Sequence, residues 1–150
     1  MARYFLDSSA LVKRYHAENG TTDVEALFKA LGNRFFVSRL ALVEVHSSLA
    51  RLVREGILTD KVFGELIARL EEDVANGLLT VVAVSSRRLE GAAAVLGTQG
   101  LSLNVRTLDA IHLATAQALH GRSRLAGLVA ADKKLLAVAD ACGLAIITVG

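Results

Sequence analysis

The stretch LAGLVAADKKLLAVADACGLAIITV, residues 125–149, reads as strand, helix and strand in immediate succession. Leu125–Ala130 is a short apolar run of strand length. Asp132 follows it, and Lys133–Ala141 fits a short helix that Gly143 terminates. Leu144–Val149 is apolar again. Strands joined through a helix are parallel, and apolar strands of this kind are covered on both faces.

The same alternation runs back through the chain. Arg3–Leu6, Arg34–Val37 and Leu79–Val82 read as the other three strands. Ser8 or Ser9 is placed to cap a helix over Ala10–Tyr15, and Thr21–Leu31 is a second helix stopped by Gly32. Ser38 caps a long helix on which Leu42, Val45, Leu49 and Leu52 recur at helical spacing, ending at Gly56. Thr59–Asn76 carries a second such stripe in Val62, Leu66, Ile67 and Leu70. Arg87–Leu96 is helical, with Gly97 to Gly100 marking its stop. Leu108–Leu119 is a further helix with Thr107 at its N-cap. The pattern predicts an α/β domain spanning residues 1–150, with a five-stranded parallel sheet between two helical layers. Proline is absent, so turns rest on Gly, Asn, Asp and Ser. The glycines form neither a phosphate loop nor a dinucleotide fingerprint.

At 150 residues the chain suits one domain with a sizeable core. Aromatic residues make up only 5% of it, so Leu, Val and Ala must fill that core, and aromatic stacking on exposed bases is a poor model for nucleic-acid binding. Cys142 is the single cysteine, which excludes an intrachain disulfide and reads as a small packed hydrophobe in a cytoplasmic protein. No apolar run reaches membrane-spanning length, and the start MARYFLD lacks the apolar core of a signal peptide.

Four carboxylates sit where a core does not readily take them. Asp7 ends the apolar opening ARYFLD, Glu44 lies in SRLALVEVHSSLARL, Asp109 lies in VRTLDAIHLATA, and Asp132 ends LAGLVAAD. A lone buried carboxylate needs a partner, a raised pKa or a metal. Taken singly, Asp7 and Asp132 are also good helix caps, Asp109 a good first-turn dipole partner, and Glu44 a candidate to pair with Arg39, Arg51 or a neighbouring helix. As a set they suit one site, because Asp7 and Asp132 end strands at the carboxyl edge where parallel sheets bind ligands. At about 4 Å and an effective dielectric near 20, each carboxylate pair repels by roughly 4 kcal/mol. A divalent cation relieves this, and oxygen ligands favour Mg2+ or Mn2+. With those four set aside, 11 acidic residues face 17 Lys and Arg, an excess of 6 positive charges suited to a polyanionic substrate. His46 and His112 stand two and three residues from acidic positions but make no zinc spacing, and they read as packing or hydrogen-bonding residues.

With these motifs in view, the chain resembles the PIN-domain nucleases, and within them the VapC-type ribonuclease toxins. YFLDSSALVKRYHAE resembles the first motif, SRLALVEVHSSLARL the second, RTLDAIHLATA the third, and LVAADKKLLAVADACGLAIITV the fourth. The resemblance implies a three-layer α/β/α fold with strand order 3-2-1-4-5, which sets Asp7 against Asp132. It implies Asp7, Glu44, Asp109 and Asp132 as catalytic metal ligands for Mg2+ or Mn2+, with Ser9 and Thr148 in supporting positions. Lys13, Arg14, Arg106, Lys133 and Lys134 are candidates for guiding phosphates. Lys133 and Lys134 occupy the place where some relatives carry a further acid, and Asp140 lies two turns too far along to replace it.

The activity so implied is metal-dependent endonucleolytic hydrolysis of RNA by a cytoplasmic homodimer. A VapB-like antitoxin is expected to seat against the Thr59–Asn76 helix and the Thr21–Leu31 region. A DNA-directed or structure-specific nuclease, and a non-catalytic interaction protein of the same fold, are the alternatives.

Overall fold

The computed structural model describes all 150 residues, Met1–Gly150. Five strands, β1 (Arg3–Leu6), β2 (Arg34–Ser38), β3 (Leu79–Val82), β4 (Gly127–Ala130) and β5 (Ile146–Thr148), form one parallel sheet in the order β3-β2-β1-β4-β5. The central strand β1 pairs on both sides, with Phe5 opposite Phe36 and Leu128. The order reverses at β1, and the chain leaves β1 and β4 at the same edge.

Two helical layers cover the sheet because its strands are apolar on both faces. Phe5, Leu128 and Ala130 point into one core, packed by α5 (Ser86–Thr98), α6 (Thr107–Arg122) and α7 (Lys133–Ala141). Their neighbours Leu6 and Val129, with Phe35 and Val37, point the other way. There they meet α1 (Ser8–Leu11), α2 (Thr21–Lys29), α3 (Arg39–Arg54) and α4 (Asp60–Ala75). This alternation is the two-residue period of a strand. Cys142 packs at the edge of the first core, where burial pushes its thiol pKa up. No helix is long and apolar enough to cross a membrane.

The element order follows the sequence reading, with local corrections. The helix after β1 is capped by Asp7 rather than Ser8 or Ser9, and it tightens into a 3-10 turn over Val12–Arg14. The helix that begins at Thr107 has Arg106, not Thr107, at its N-cap. The α5 helix runs through Gly97 to Thr98, since a single helical glycine costs only about 1 kcal/mol against alanine. The last two strands are shorter than their apolar runs, and the ladder is completed by Val149 N–H donating to Ala130 O at 3.1 Å. Gly20 is required where it stands: its φ is +88°, and a Cβ there would lie 2.6 Å from the Gly150 nitrogen.

Two long helices matter for the site. On α3, Ala41, Val45 and Leu49 are buried and the opposite face is exposed. On α6, Leu113, Ala114, Thr115 and Ala116 are consecutive and all buried, so this helix is enclosed on nearly every side. A polar group on α6 must therefore find its partners inside the protein.

Candidate metal centre at the carboxyl edge of the sheet

Asp7 stands immediately after β1 and is 4% exposed. Its backbone N–H still joins the ladder, donating to Val129 O at 3.0 Å, so the strand sets the position of its side chain. The carboxylate does two things at once. Oδ2 accepts from the Ser9 backbone N–H at 3.2 Å and from the Ser9 hydroxyl at 2.6 Å, which caps α1. Oδ1 is turned the other way and lies 3.5 Å from His112 Nε2. Capping therefore orients Asp7 without consuming it.

Ser9 also accepts from the backbone N–H groups of Ala131 and Asp132, at 3.0 and 3.3 Å. One hydroxyl thus ties the end of β1 to the turn after β4. Asp132 caps α7 through Oδ1, accepting from Lys134 and Leu135 N–H at 2.9 and 3.3 Å. Both carboxylates thus cap the helices that follow their strands, and Asp132 also lines the cleft at the carboxyl edge of the sheet.

Glu44 lies in the second turn of α3, with its carboxylate hydrogen-bonded to His112 Nε2. Neither Arg39 nor Arg51 takes it: Arg51 instead sits 3.7 Å from Glu55. His112 is 0% exposed, and its Nδ1 lies 3.0 Å from the Ser38 hydroxyl. Burial alone would lower the pKa of this imidazole. The bond to Glu44 and the negative charges of Asp7, Glu44 and Asp109 outweigh that, and the net shift is upward. Asp7, Glu44 and His112 offer ligand atoms all within 4.8 Å of one another, a spacing able to hold a metal ion. His112 is thus the site residue that its spacing in the sequence does not announce. The readable signal was a polar ring inside AIHLATA, three residues and so one helical face from Asp109.

Asp109 occupies the first turn of α6, and with Glu44, Asp132, Arg106 and Thr107 it lines a cleft of about 550 Å3. Burial raises its pKa, and the charges of Asp132 and Asp7 raise it further against the opposing pull of Arg106. Its Oδ2 is buried with no hydrogen-bond partner. A desolvated oxygen close to other carboxylate charges, in an oxygen-rich donor set, fits a hard divalent ion. The acids at 7, 44, 109 and 132 are therefore gathered on one edge of the sheet.

The expected supporting and phosphate-guiding residues divide. Arg106 lines the cleft and is exposed. Lys133 and Lys134 are exposed at the start of α7, beside Asp132. Lys13 is instead buried, donating to Glu18 and to the Asn19 carbonyl. Arg14 is fastened to Asp73, as Nε to Oδ2 at 2.8 Å and Nη2 to Oδ1 at 3.2 Å. Both have structural partners that a phosphate would have to displace. Thr148 ends β5 opposite Ala130 and lines none of the cleft. His46 bonds its own helix, with Nδ1 2.7 Å from the Leu42 carbonyl. Asp140 is exposed on α7, away from the cleft.

Comparison with known proteins gives a consistent picture. Residues 4–141 match the family model described as the PIN domain. Ribonuclease VapC35 of Mycobacterium tuberculosis is 30% identical over 152 residues, covering 97% of this chain and 96% of that protein. Among solved structures, FitAcB from Neisseria gonorrhoeae matches with a TM-score of 0.72 at 18% identity, over 97% of this chain and 96% of that one. A toxin–antitoxin complex from Klebsiella pneumoniae matches with a TM-score of 0.64 at 17% identity, over 97% and 96% of the two chains. At such identities the two structures establish a shared fold.

Proposed function

The chain belongs to the PIN-domain family, and we propose that its acidic edge makes it a metal-dependent endoribonuclease toxin held in check by a cognate antitoxin. The observation that carries this reading is the buried, unpartnered Asp109 oxygen in a cleft shared with Glu44 and Asp132. Asp7, Asp109 and Asp132 would hold the principal Mg2+ or Mn2+, with Glu44 completing the set or orienting the attacking water. When bound, such an ion lowers the pKa of water and neutralises charge gathering on the phosphate oxygens.

The protein's own groups do the rest. Ser9 fixes the spacing of Asp7 and Asp132 by bonding both segments. Arg106, exposed at the rim, guides a phosphate into the cleft, and Lys133 and Lys134 extend that positive rim. In-line attack by water would leave a 3′-hydroxyl and a 5′-phosphate, a route that does not use the 2′-hydroxyl. RNA rather than DNA is supported by the 30% identical relative, which is a ribonuclease. The cytoplasm is the compartment such a substrate implies.

The antitoxin reading is supported by the Klebsiella pneumoniae neighbour, which is a toxin–antitoxin complex. The α4 helix, which forms part of the expected antitoxin surface, packs on α3, and Leu42, Val43, Leu70 and Val74 line an apolar groove of about 590 Å3 between them that supports this reading. A homodimer would cover a second apolar hollow, lined by Leu40, Val43, Val84, Leu89 and Ile111.

The test is to map RNA ends after expression of wild type and Asp7→Asn, and to incubate purified protein with RNA and DNA in Mg2+, Mn2+ or EDTA. Metal-dependent new 5′-phosphate ends that vanish in the folded D7N variant are expected. Equal cleavage by D7N removes the catalytic assignment. Cleavage of DNA alone selects the DNA-directed alternative, and binding of the antitoxin with no cleavage of either selects the interaction protein.

A further inference from the structure

Both ring nitrogens of His112 are engaged, and their partners decide where the hydrogen sits. The Ser38 hydroxyl accepts the Ala41 backbone N–H at 3.0 Å, which caps α3. It also lies 3.0 Å from His112 Nδ1. A hydroxyl has one hydrogen and two lone pairs. With Ala41 on a lone pair, the hydroxyl hydrogen is free to be donated to Nδ1, which then acts as acceptor. The ring hydrogen is consequently on Nε2, facing the Glu44 carboxylate, which only accepts when ionised.

The opposite neutral tautomer fails on both sides. It would leave the Ser38 hydroxyl hydrogen without a partner and press the Nε2 lone pair against those of the Glu44 carboxylate. A second ring proton changes only the Ser38 side, where Nδ1–H then donates to the hydroxyl oxygen. Nε2 carries a hydrogen in either form, so a cation at this nitrogen would have to displace both that hydrogen and the bond to Glu44. The 4.8 Å spacing that admits His112 as a ligand is thus opposed by the direction of its hydrogen bonds.

We propose that His112 is a positioning residue of this metal centre and not one of its ligands: its Nε2–H aims the Glu44 carboxylate, and Ser38 locks the ring. This rests on the metal centre described above, though not on RNA being the substrate. The ring bridges the end of β2, the second turn of α3 and the middle of α6, so three elements fix one carboxylate. It also gives Asp7 and Glu44 a shared positive edge, which offsets their mutual repulsion while no cation is present. Supports of this kind typically account for about 10–100-fold in metal affinity.

The experiment is Mn2+ binding followed by water-proton relaxation and by pulsed EPR, on wild type, H112A and H112Q. It is paired with long-range 1H–15N correlation of the histidine rings in the metal-free protein. The EPR is expected to show no directly coordinated imidazole nitrogen, and the metal-free spectrum to show His112 with hydrogen on Nε2. H112A is expected to bind Mn2+ about 10–100-fold more weakly, while H112Q, whose amide N–H can still reach Glu44, stays within about threefold of wild type. A coordinated nitrogen lost in H112Q, a ring with hydrogen on Nδ1 alone, or wild-type affinity in H112A would each overturn the proposal. Should H112A fail to fold, H112Q and the two spectra still decide. Absence of Mn2+ uptake by wild type overturns it together with the metal centre, whereas the expected metal behaviour without RNA cleavage removes only the ribonuclease reading.

Discussion

Two partly buried clusters of charge in this protein are built on opposite rules. Around Asp73 the charges cancel. Arg14 makes two bonds to its carboxylate, the Tyr15 hydroxyl donates to it at 2.7 Å, Arg14 lies 4.5 Å over the Phe28 ring, and Arg69 lies 5.7 Å over Tyr15. Burial pushes the Tyr15 pKa upward, and its bond to Asp73 adds to the rise. At the carboxyl edge of the sheet the charges do not cancel. Of the four acids only Asp7 and Glu44 reach the His112 imidazole, and an Asp109 oxygen has no partner. The first cluster is complete within the chain and serves to join α4 to the segment after α1. The second is incomplete within the chain, which is what a binding site requires and a structural ion pair does not.

The sharpest way to break this comparison is Asp7→Asn. Loss of metal-dependent cleavage by about 1,000-fold, or roughly 4 kcal/mol of transition-state stabilisation, is expected. Thermal unfolding of the metal-free variant should show no loss of stability, since one repelling charge has been removed. Asp73→Ala should do the reverse. It leaves Arg14 half-buried without its carboxylate, and a destabilisation of about 2–3 kcal/mol is expected from urea midpoints at constant m-value. Its Mn2+ affinity should match wild type.

Arg106→Ala sits between the two clusters in kind. It should weaken RNA binding by about three- to tenfold, equivalent to roughly 1 kcal/mol, with a smaller salt dependence and unchanged stability.

The smallest effect concerns acid. Burial would raise the Asp73 pKa, but its bonds to Arg14 and Tyr15 and the charges of Arg14 and Arg69 prevail, and it lies below the ordinary 3.8. Its contribution to stability is complete above that value and fades as pH falls through the lower, folded pKa. Unfolding free energy measured from pH 5 downward should therefore drop less steeply in Asp73→Asn than in wild type.

The two clusters also show what a sequence reveals. The strands, their parallel pairing and the positions of long helices were legible because apolar runs and helical stripes are local patterns. Asp7, Glu44, Asp109 and Asp132 stood out because each interrupts such a pattern. Arg14 was misleading: following the first motif, it looked available to a phosphate, yet its partner Asp73 is 59 residues away. Lys13 differs: its partners, the Glu18 carboxylate and the Asn19 carbonyl, are close in sequence, but they meet it through a turn that no strand or helix period encodes. Ser9 stands in plain view within the first motif, but its bond to the turn after β4 spans 122 residues, a link no local pattern encodes.

The amino-acid order by itself determined the alternation of strands and helices, the scarcity of aromatic side chains and the four acids out of place in apolar surroundings. These depend on periods of two and 3.6 residues and on the cost of burying charge, both of which act along a short stretch of chain. The tertiary structure decided which cations are already taken, which oxygen is left without a partner, and that His112 turns its Nε2 toward Glu44. Those outcomes depend on directional bonds a few ångströms long between residues far apart in the chain, and only the packed sheet brings such residues within reach.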